Sequence, residues 1–309
     1  MIFAAVCLIF GLWAVTALRV QRQRAGLAAF GLGLLASIAL HLTTEWGWAA
    51  LALLIATILI WYLRLRPRLD RAWAPDVAHI VTGDVAGSLV RLHNIRAFHW
   101  QDRDHAQEHW TSETFDLDQL TGADMVTSVW GNPKIAHLLV SFHFATDQRV
   151  VFSVEIRRER DEKFSSIGGF FRQFELALIA AREDDIIRLR SNHRHEDVRL
   201  YPLRLTPEQL RPIFLAYVDL GNRVAHVPTF YNTLTANCAT VVWHLIRALK
   251  PDLPLHPAVL LPGLLPDWLY KLGVLDGTGS LADLREAARI SEKAQALPEG
   301  ADFSRAIRS

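Results

Sequence analysis

Cysteine is nearly absent from this chain: 309 residues contain two. Cys7 lies inside the first apolar run and Cys238 far downstream, so a disulfide would have to join hydrocarbon to soluble core. A disulfide framework is therefore excluded, and cysteine usage does not reveal the compartment. Charge of one sign is also missing, since 33 basic residues face 32 acidic ones for a net charge of +1. That balance excludes the electrostatic footprint of a nucleic-acid binder. A nucleotide loop is lacking as well, because Gly168-Gly169 before Phe170-Phe171 has neither the spacing nor the context of a phosphate cradle. The histidines His93, His99, His105 and His109 match neither a helical pair nor a tight metal knuckle, so no metal and no cofactor are expected. No internal repeat is visible.

What the chain does have is long apolar runs at its start. Ile2 to Leu18 carries no charge, Ala25 to Leu42 is rich in Gly, Ala and Leu, and Ala49 to Leu63 ends in Trp61-Tyr62. A helix of about 20 apolar residues crosses the hydrocarbon layer, so about three transmembrane spans are expected. A signal peptide fits poorly, because Met1 is followed directly by apolar residues and two further runs come close behind. Three spans place the Arg19–Arg24 loop and the downstream chain on one side. Both are arginine-rich (Arg64, Arg66, Arg68 and Arg71 follow the last run), and the positive-inside tendency alone puts that side in the cytoplasm.

The remainder reads as an α+β soluble domain. Short alternating segments at 88–93 and 111–117 suggest strands, and 135–144 and 149–156 flank a polar turn as a hairpin does. Segments 175–181 and 186–190 look like a second such pair. Thr206-Pro-Glu-Gln209 is a helix start, with a run to about Asn222. Asn237 caps a second helix opened by Cys238 and stopped by Pro251. The proline-broken stretch 254–275 carries Trp268 and Tyr270, suited to packing on the core or lying at a membrane surface. The chain thus divides into an anchor region (1–66), a soluble domain (67–279), and an amphipathic helix with a frayed tail (280–309).

The chemistry that stands out is a thiol in the first turn of a helix. The macrodipole and unpaired N–H groups there favour the thiolate and can receive an oxyanion. A base must come from elsewhere. His137 and His143 share a face of one strand, and Glu155 on the neighbouring strand is the acid that would orient an imidazole. The bland alternatives are a buried inert thiol and a surface ion pair.

Five stretches together resemble the Lnb-type bacterial lipoprotein N-acyltransferases. They are Asp70-Arg-Ala-Trp-Ala-Pro-Asp76, Ser128-Val-Trp-Gly-Asn-Pro-Lys-Ile-Ala-His137, Ser153-Val-Glu-Ile-Arg-Arg-Glu159, Gly169-Phe-Phe-Arg-Gln-Phe-Glu175 and Tyr231-Asn-Thr-Leu-Thr-Ala-Asn-Cys238. The resemblance implies a circularly permuted papain-like domain, related to lecithin:retinol acyltransferases, with an antiparallel sheet packed on helices. It also implies that His137, not His143, serves Cys238, with Glu155 as the third member. Asn237, Tyr231 and Trp130 fall to oxyanion and substrate binding. The implied reaction moves an acyl chain from a membrane phospholipid through a Cys238 thioester to the N-terminal amine of a diacylated lipoprotein. It further implies a multi-pass protein of the bacterial inner membrane with its soluble domain in the periplasm, against the charge rule. Two rival readings remain: a cysteine hydrolase of the cell envelope, and a non-catalytic envelope scaffold.

Overall fold

The computed structural model describes every residue except Glu299. It opens with three apolar helices, α1 (Ile2–Val20), α2 (Arg24–Thr43) and α3 (Gly47–Leu63). The expected three spans become two by length: α1 and α2 have 19 and 20 residues and are apolar enough to cross a membrane. The third helix has 17 residues, because Thr44 leaves the helical conformation and α3 restarts only at Gly47. It nevertheless packs along the other two. Trp48 meets Phe3 edge-on at 5.0 Å, and Tyr62 meets Trp13 at 5.0 Å. Ala14 and Ala17 are buried where the helices meet, small side chains that permit close approach, with Leu18 beside them.

Beyond Pro75–Val77, a single 3₁₀ turn, lies one twisted sheet. Its strands are β1 (Thr82–Ala86), β2 (Leu89–Arg96), β5 (Trp110–Asp116), β6 (Leu120–Val129), β7 (His137–Phe144), β8 (Arg149–Arg157), β9 (Glu175–Ala181) and β10 (Asp197–Pro202), while β3 (His99–Trp100) and β4 (Ala106–Gln107) form a separate hairpin. The order is β1-β2-β9-β8-β7-β6-β10, with β5 on β2. All neighbours are antiparallel except β2 and β9. Helices α4 (Ser166–Phe170), α5 (Glu183–Arg188), α6 (Pro207–His226), α7 (Cys238–Leu249), α8 (Leu265–Lys271), α9 (Leu281–Ala287), α10 (Ser291–Gln295) and α11 (Phe303–Ala306) complete the chain.

The two faces of the sheet differ in chemistry, as the alternation in β7 and β8 dictates. Phe142, Phe144 and Phe152 point to one side and meet Phe214 and Tyr217 of α6, with Phe152 and Tyr217 stacked at 4.8 Å. These residues are among the least exposed in the chain. His137, Ser141, Ser153 and Glu155 point to the other side, beneath α5 and the turn after it. The result is an apolar core on one face and a buried polar seam on the other.

Two expectations are corrected and one alternative is decided. Residues 186–190 are not a strand: Glu183, Asp184 and Asp185 occupy the first turn of α5, where the macrodipole favours acids, and a π turn (Leu189–His193) comes next. Of the two readings of segment 254–275, packing on the core holds for Trp268. That ring is buried and stacked on His256 at 4.8 Å. The C-terminal stretch forms three short helices rather than one, and its end is held down. Phe303 and Ile307 are buried in the main core. Arg308 bonds Asp124 at 3.1 Å and Glu183 at 2.8 Å, two carboxylates with almost no exposure of their own.

Arg308 is the principal cation for that acid pair, whose other basic neighbours are more distant: His143 at 3.7 Å and Arg149 at 3.9 Å. Removing one partner of a buried ion pair leaves uncompensated charge and costs about 3 kcal/mol. Arg308→Ala should lower the apparent melting temperature of the detergent-solubilised protein. Glu183→Gln added to it should restore part of the loss, since the orphaned charge disappears.

Candidate active site

Asn237 sets the start of α7. Its side-chain Oδ1 accepts the N–H groups of Ala239 and Thr240, each at 2.9 Å, and the Thr240 hydroxyl accepts the Asn237 N–H at 2.7 Å. This reciprocal cap fixes Cys238 at the first helical position. The Asn237 amide nitrogen donates to the Thr233 carbonyl at 2.7 Å, so both ends of the side chain are occupied. The side chain caps the helix through Oδ1 and uses one of its two amide N–H groups on Thr233. The Cys238 N–H makes no hydrogen bond among the described residues, as expected of a donor at a helix start.

Cys238 is buried beside the first residues of β7, where its sulfur faces the His137 ring and the Leu138 N–H. His137 stands across from Ser128 of β6, at the edge of the ladder that begins between Leu139 and Ser153 on β8. Two steps along β8 brings Glu155 level with His137 on the same face. His137 Nε2 lies 2.7 Å from the Ser153 hydroxyl and 3.0 Å from Glu155 Oε1, while Ser153 donates to the same Oε1 at 2.7 Å. With Nε2 thus engaged, Nδ1 is the nitrogen left for the sulfur.

Arg190 completes the arrangement from the π turn. Its Nη2 donates to Glu155 at 3.1 Å and its Nη1 to Glu196 at 3.3 Å, and Glu196 in turn accepts the Ser128 hydroxyl. This enclosure sets the electrostatics. Burial and Arg190 both push the His137 imidazolium down, but Glu155 and Cys238 outweigh them and raise it to about 9. Burial raises the Cys238 thiol, yet the facing imidazole and the Leu138 N–H bring it below its ordinary value. Glu155, raised by burial, is held well below the usual carboxylate range by His137 and Arg190. Proton transfer from sulfur to ring is thereby favoured, giving a thiolate–imidazolium pair.

The other sequence candidates divide. Tyr231 sits on the loop leading to Cys238, and burial together with the charges of Cys238 and Glu155 raises its phenol. Its hydroxyl makes no hydrogen bond among the described residues, which leaves it free to donate. Trp130 is half-exposed and stands outside the cluster, edge-on to Phe164 at 6.4 Å. His143 lies at the far end of β7, near Asp124 at 3.7 Å, and takes no part. No group of three or more metal-ligating side chains occurs among the described residues.

Sequence reasoning missed Ser153, Arg190 and Glu196. Ser153 was legible, since a residue two before Glu155 on a strand shares its face. Arg190 was hidden inside a stretch that reads as a strand. Gly169 was left without a role, and the structure supplies one: a Cβ there would collide with the Thr233 hydroxyl and sit 3.3 Å from the Tyr231 ring. Glycine lets α4 press against the loop that carries the site.

The profile of the Lnb N-terminal periplasmic domain matches residues 106–268, a span from β4 to α8 that contains every member of the cluster. The chain belongs to that family. It is a membrane-anchored protein with a periplasmic domain. No curated protein and no solved structure matches the chain.

Alkylation by iodoacetamide in a Cys7→Ser background isolates the Cys238 sulfur. The rate should hold a plateau through neutral pH and fall only on acidification past the depressed thiol value. Glu155→Gln removes the charge that raises His137, so the imidazole should titrate lower and the thiol higher, and the plateau should begin at a higher pH. An unchanged profile in that variant counts against the coupling.

Proposed function

We propose that this protein is an acyltransferase that carries a fatty chain on Cys238, taking it from a membrane phospholipid and delivering it to the N-terminal amine of a diacylated lipoprotein. One observation carries the reading. A buried helix-start thiol is electrostatically coupled to an imidazole whose Nε2 rests on a carboxylate and a hydroxyl. Family membership supports an envelope enzyme, and the anchor supports substrates drawn from the bilayer.

In this reading all three N-terminal helices cross the inner membrane, α3 included, since 17 apolar residues lie at the short end of a spanning helix. A large domain can be translocated regardless of its flanking arginines, which accommodates a periplasmic soluble domain. The order of a histidine strand before a cysteine helix is that of a permuted papain-like domain, and we assign the fold accordingly.

The chemistry balances in two steps. The Cys238 thiolate attacks the donor ester carbonyl. The Cys238 N–H and the Tyr231 hydroxyl stabilise the tetrahedral oxyanion. The His137 imidazolium then gives its proton to the departing alkoxide, and a lysophospholipid leaves. The acceptor amine next attacks the thioester, neutral His137 takes the amine proton, and the amide departs from a regenerated thiolate. Ser153 and Glu155 hold the ring in the orientation both steps need, and Trp130 contacts lipid beside the site.

Incubation with phospholipid should add one acyl mass to the intact protein, and lipoprotein N-terminal peptides should gain that mass. Cys238→Ala abolishes both at normal abundance, and His137→Ala lowers transfer by about 10²-fold or more. Transfer should fall above pH of about 9, where His137 loses the proton it gives to the leaving group. Free fatty acid in place of acylated peptide would favour a hydrolase. Full activity of Cys238→Ala in cells lacking the wild type would favour a scaffold.

A further inference from the structure

Five large apolar side chains of the soluble domain project outward around the loop that carries Cys238. Trp130, Phe164, Ile167, Phe170 and Leu234 are between two-fifths and three-fifths exposed. Scattered singly they would need no explanation, but here they come together. Trp130 lies against Phe164, the Thr233 hydroxyl donates to the Ser166 carbonyl at 2.9 Å, and Gly169 brings α4 against Tyr231.

The same segment is tied to the membrane helices. The Tyr62 hydroxyl donates to the Phe170 carbonyl at 3.3 Å, and the Gln21 amide donates to the carbonyls of Phe171 and Arg172 at 2.7 and 2.9 Å. The Arg172 guanidinium donates to the Tyr62 carbonyl at 3.0 Å and covers the Tyr62 ring at 4.8 Å. Arg172 holds a left-handed backbone, φ 56°, a conformation unfavourable for a non-glycine residue that these contacts sustain. The Phe171 ring rests 6.1 Å from that of Trp13. Trp13 lies below Arg19 on α1, about 9 Å deeper at 1.5 Å per residue. A side chain that reaches Trp13 is therefore below the level at which Arg19 meets the headgroups.

We propose that the segment Phe164–Phe171, with Trp130 and Leu234, is immersed at the boundary between headgroups and acyl chains on the soluble-domain side. It forms an apolar sill over which a donor acyl chain passes to Cys238. The occupant is the bilayer itself, argued from continuity with α1 and α3 and from the depth that Phe171 reaches. Lys163 at the start of the segment and Arg64 at the exit of α3 place cations where lipid phosphates lie. The immersion stands on geometry alone, whereas the passage of the acyl chain rests on the acyl-transfer reading above.

The test uses the full chain in nanodiscs of phosphatidylethanolamine and phosphatidylglycerol. In a Cys7→Ser, Cys238→Ser background, spin labels at Phe164→Cys, Ile167→Cys and Leu234→Cys are compared with one at Val85→Cys, an exposed position on strand β1. The first three should relax with dissolved oxygen and the last with a water-soluble nickel chelate. Chelate access at 164 and 167 equal to that at 85 overturns the immersion. In the otherwise wild-type chain, Phe164→Asp with Ile167→Asp should leave alkylation of Cys238 by iodoacetamide within about twofold while acylation from phospholipid falls at least about tenfold. Undiminished acylation overturns the sill. Immersed labels together with a wild-type protein that never accepts an acyl group would leave the membrane surface standing and sink the acyl-transfer reading instead.

Discussion

A carboxylate enclosed beneath a sheet must be surrounded by positive charge or become protonated, and Glu155 is surrounded. His137, Ser153 and Arg190 converge on one of its oxygens from a neighbouring strand, its own strand and the π turn. Each of these depends on the others. Without the carboxylate the imidazole would lose the attraction that offsets its burial, and without the charged imidazole the thiol beside it would be an ordinary buried cysteine. The polar face of the sheet exists to house this charge, and the apolar face under α6 gives it a rigid floor.

The same division explains why the domain tolerates so many buried ionic groups. Arg96 and Asp185, Arg308 with Asp124 and Glu183, and Arg190 with Glu155 and Glu196 all lie in the seam between the sheet and the helical layer of α5 and the tail. Each acid meets a cation with hydrogen-bond geometry, the condition under which burial of charge is sustained. A seam of this kind adds less stability than an apolar interface would. It fixes orientation instead, because a guanidinium forked between two carboxylates admits few alternative placements.

Much of this was legible in the residues. Alternation placed His137 and His143 on one face of their strand, and the Asn237 cap placed Cys238 at the head of its helix, because those signals are local, whereas the register that brings Glu155 level with His137 is not. The capping use of Asn237 was legible too, although the bond from its amide to the Thr233 carbonyl appears only in the folded chain. Residues 186–190 misled because Ile-Ile-Arg-Leu-Arg suits a strand as well as a helix, and the decision lay in the three acids before it. Composition left Trp268 open between the core and a membrane surface, since burial of an aromatic ring is settled by tertiary contacts. Arg308 gave no signal at all: its partners are distant in sequence.

The π turn at Leu189–His193 has an effect of a different kind. It closes through a bond from the Arg194 N–H to the Leu189 carbonyl at 2.9 Å, one residue wider than an α turn. That surplus residue sets the angular phase at which Arg190 and Glu196 meet the sheet. Loss of one residue between Arg190 and Glu196 would narrow the turn and rotate the chain beyond it by about 100°. Glu196 would then cease to face Arg190 and Ser128 with those side chains chemically intact, so this pairing is more vulnerable to a change in chain length here than to most exchanges of residue type.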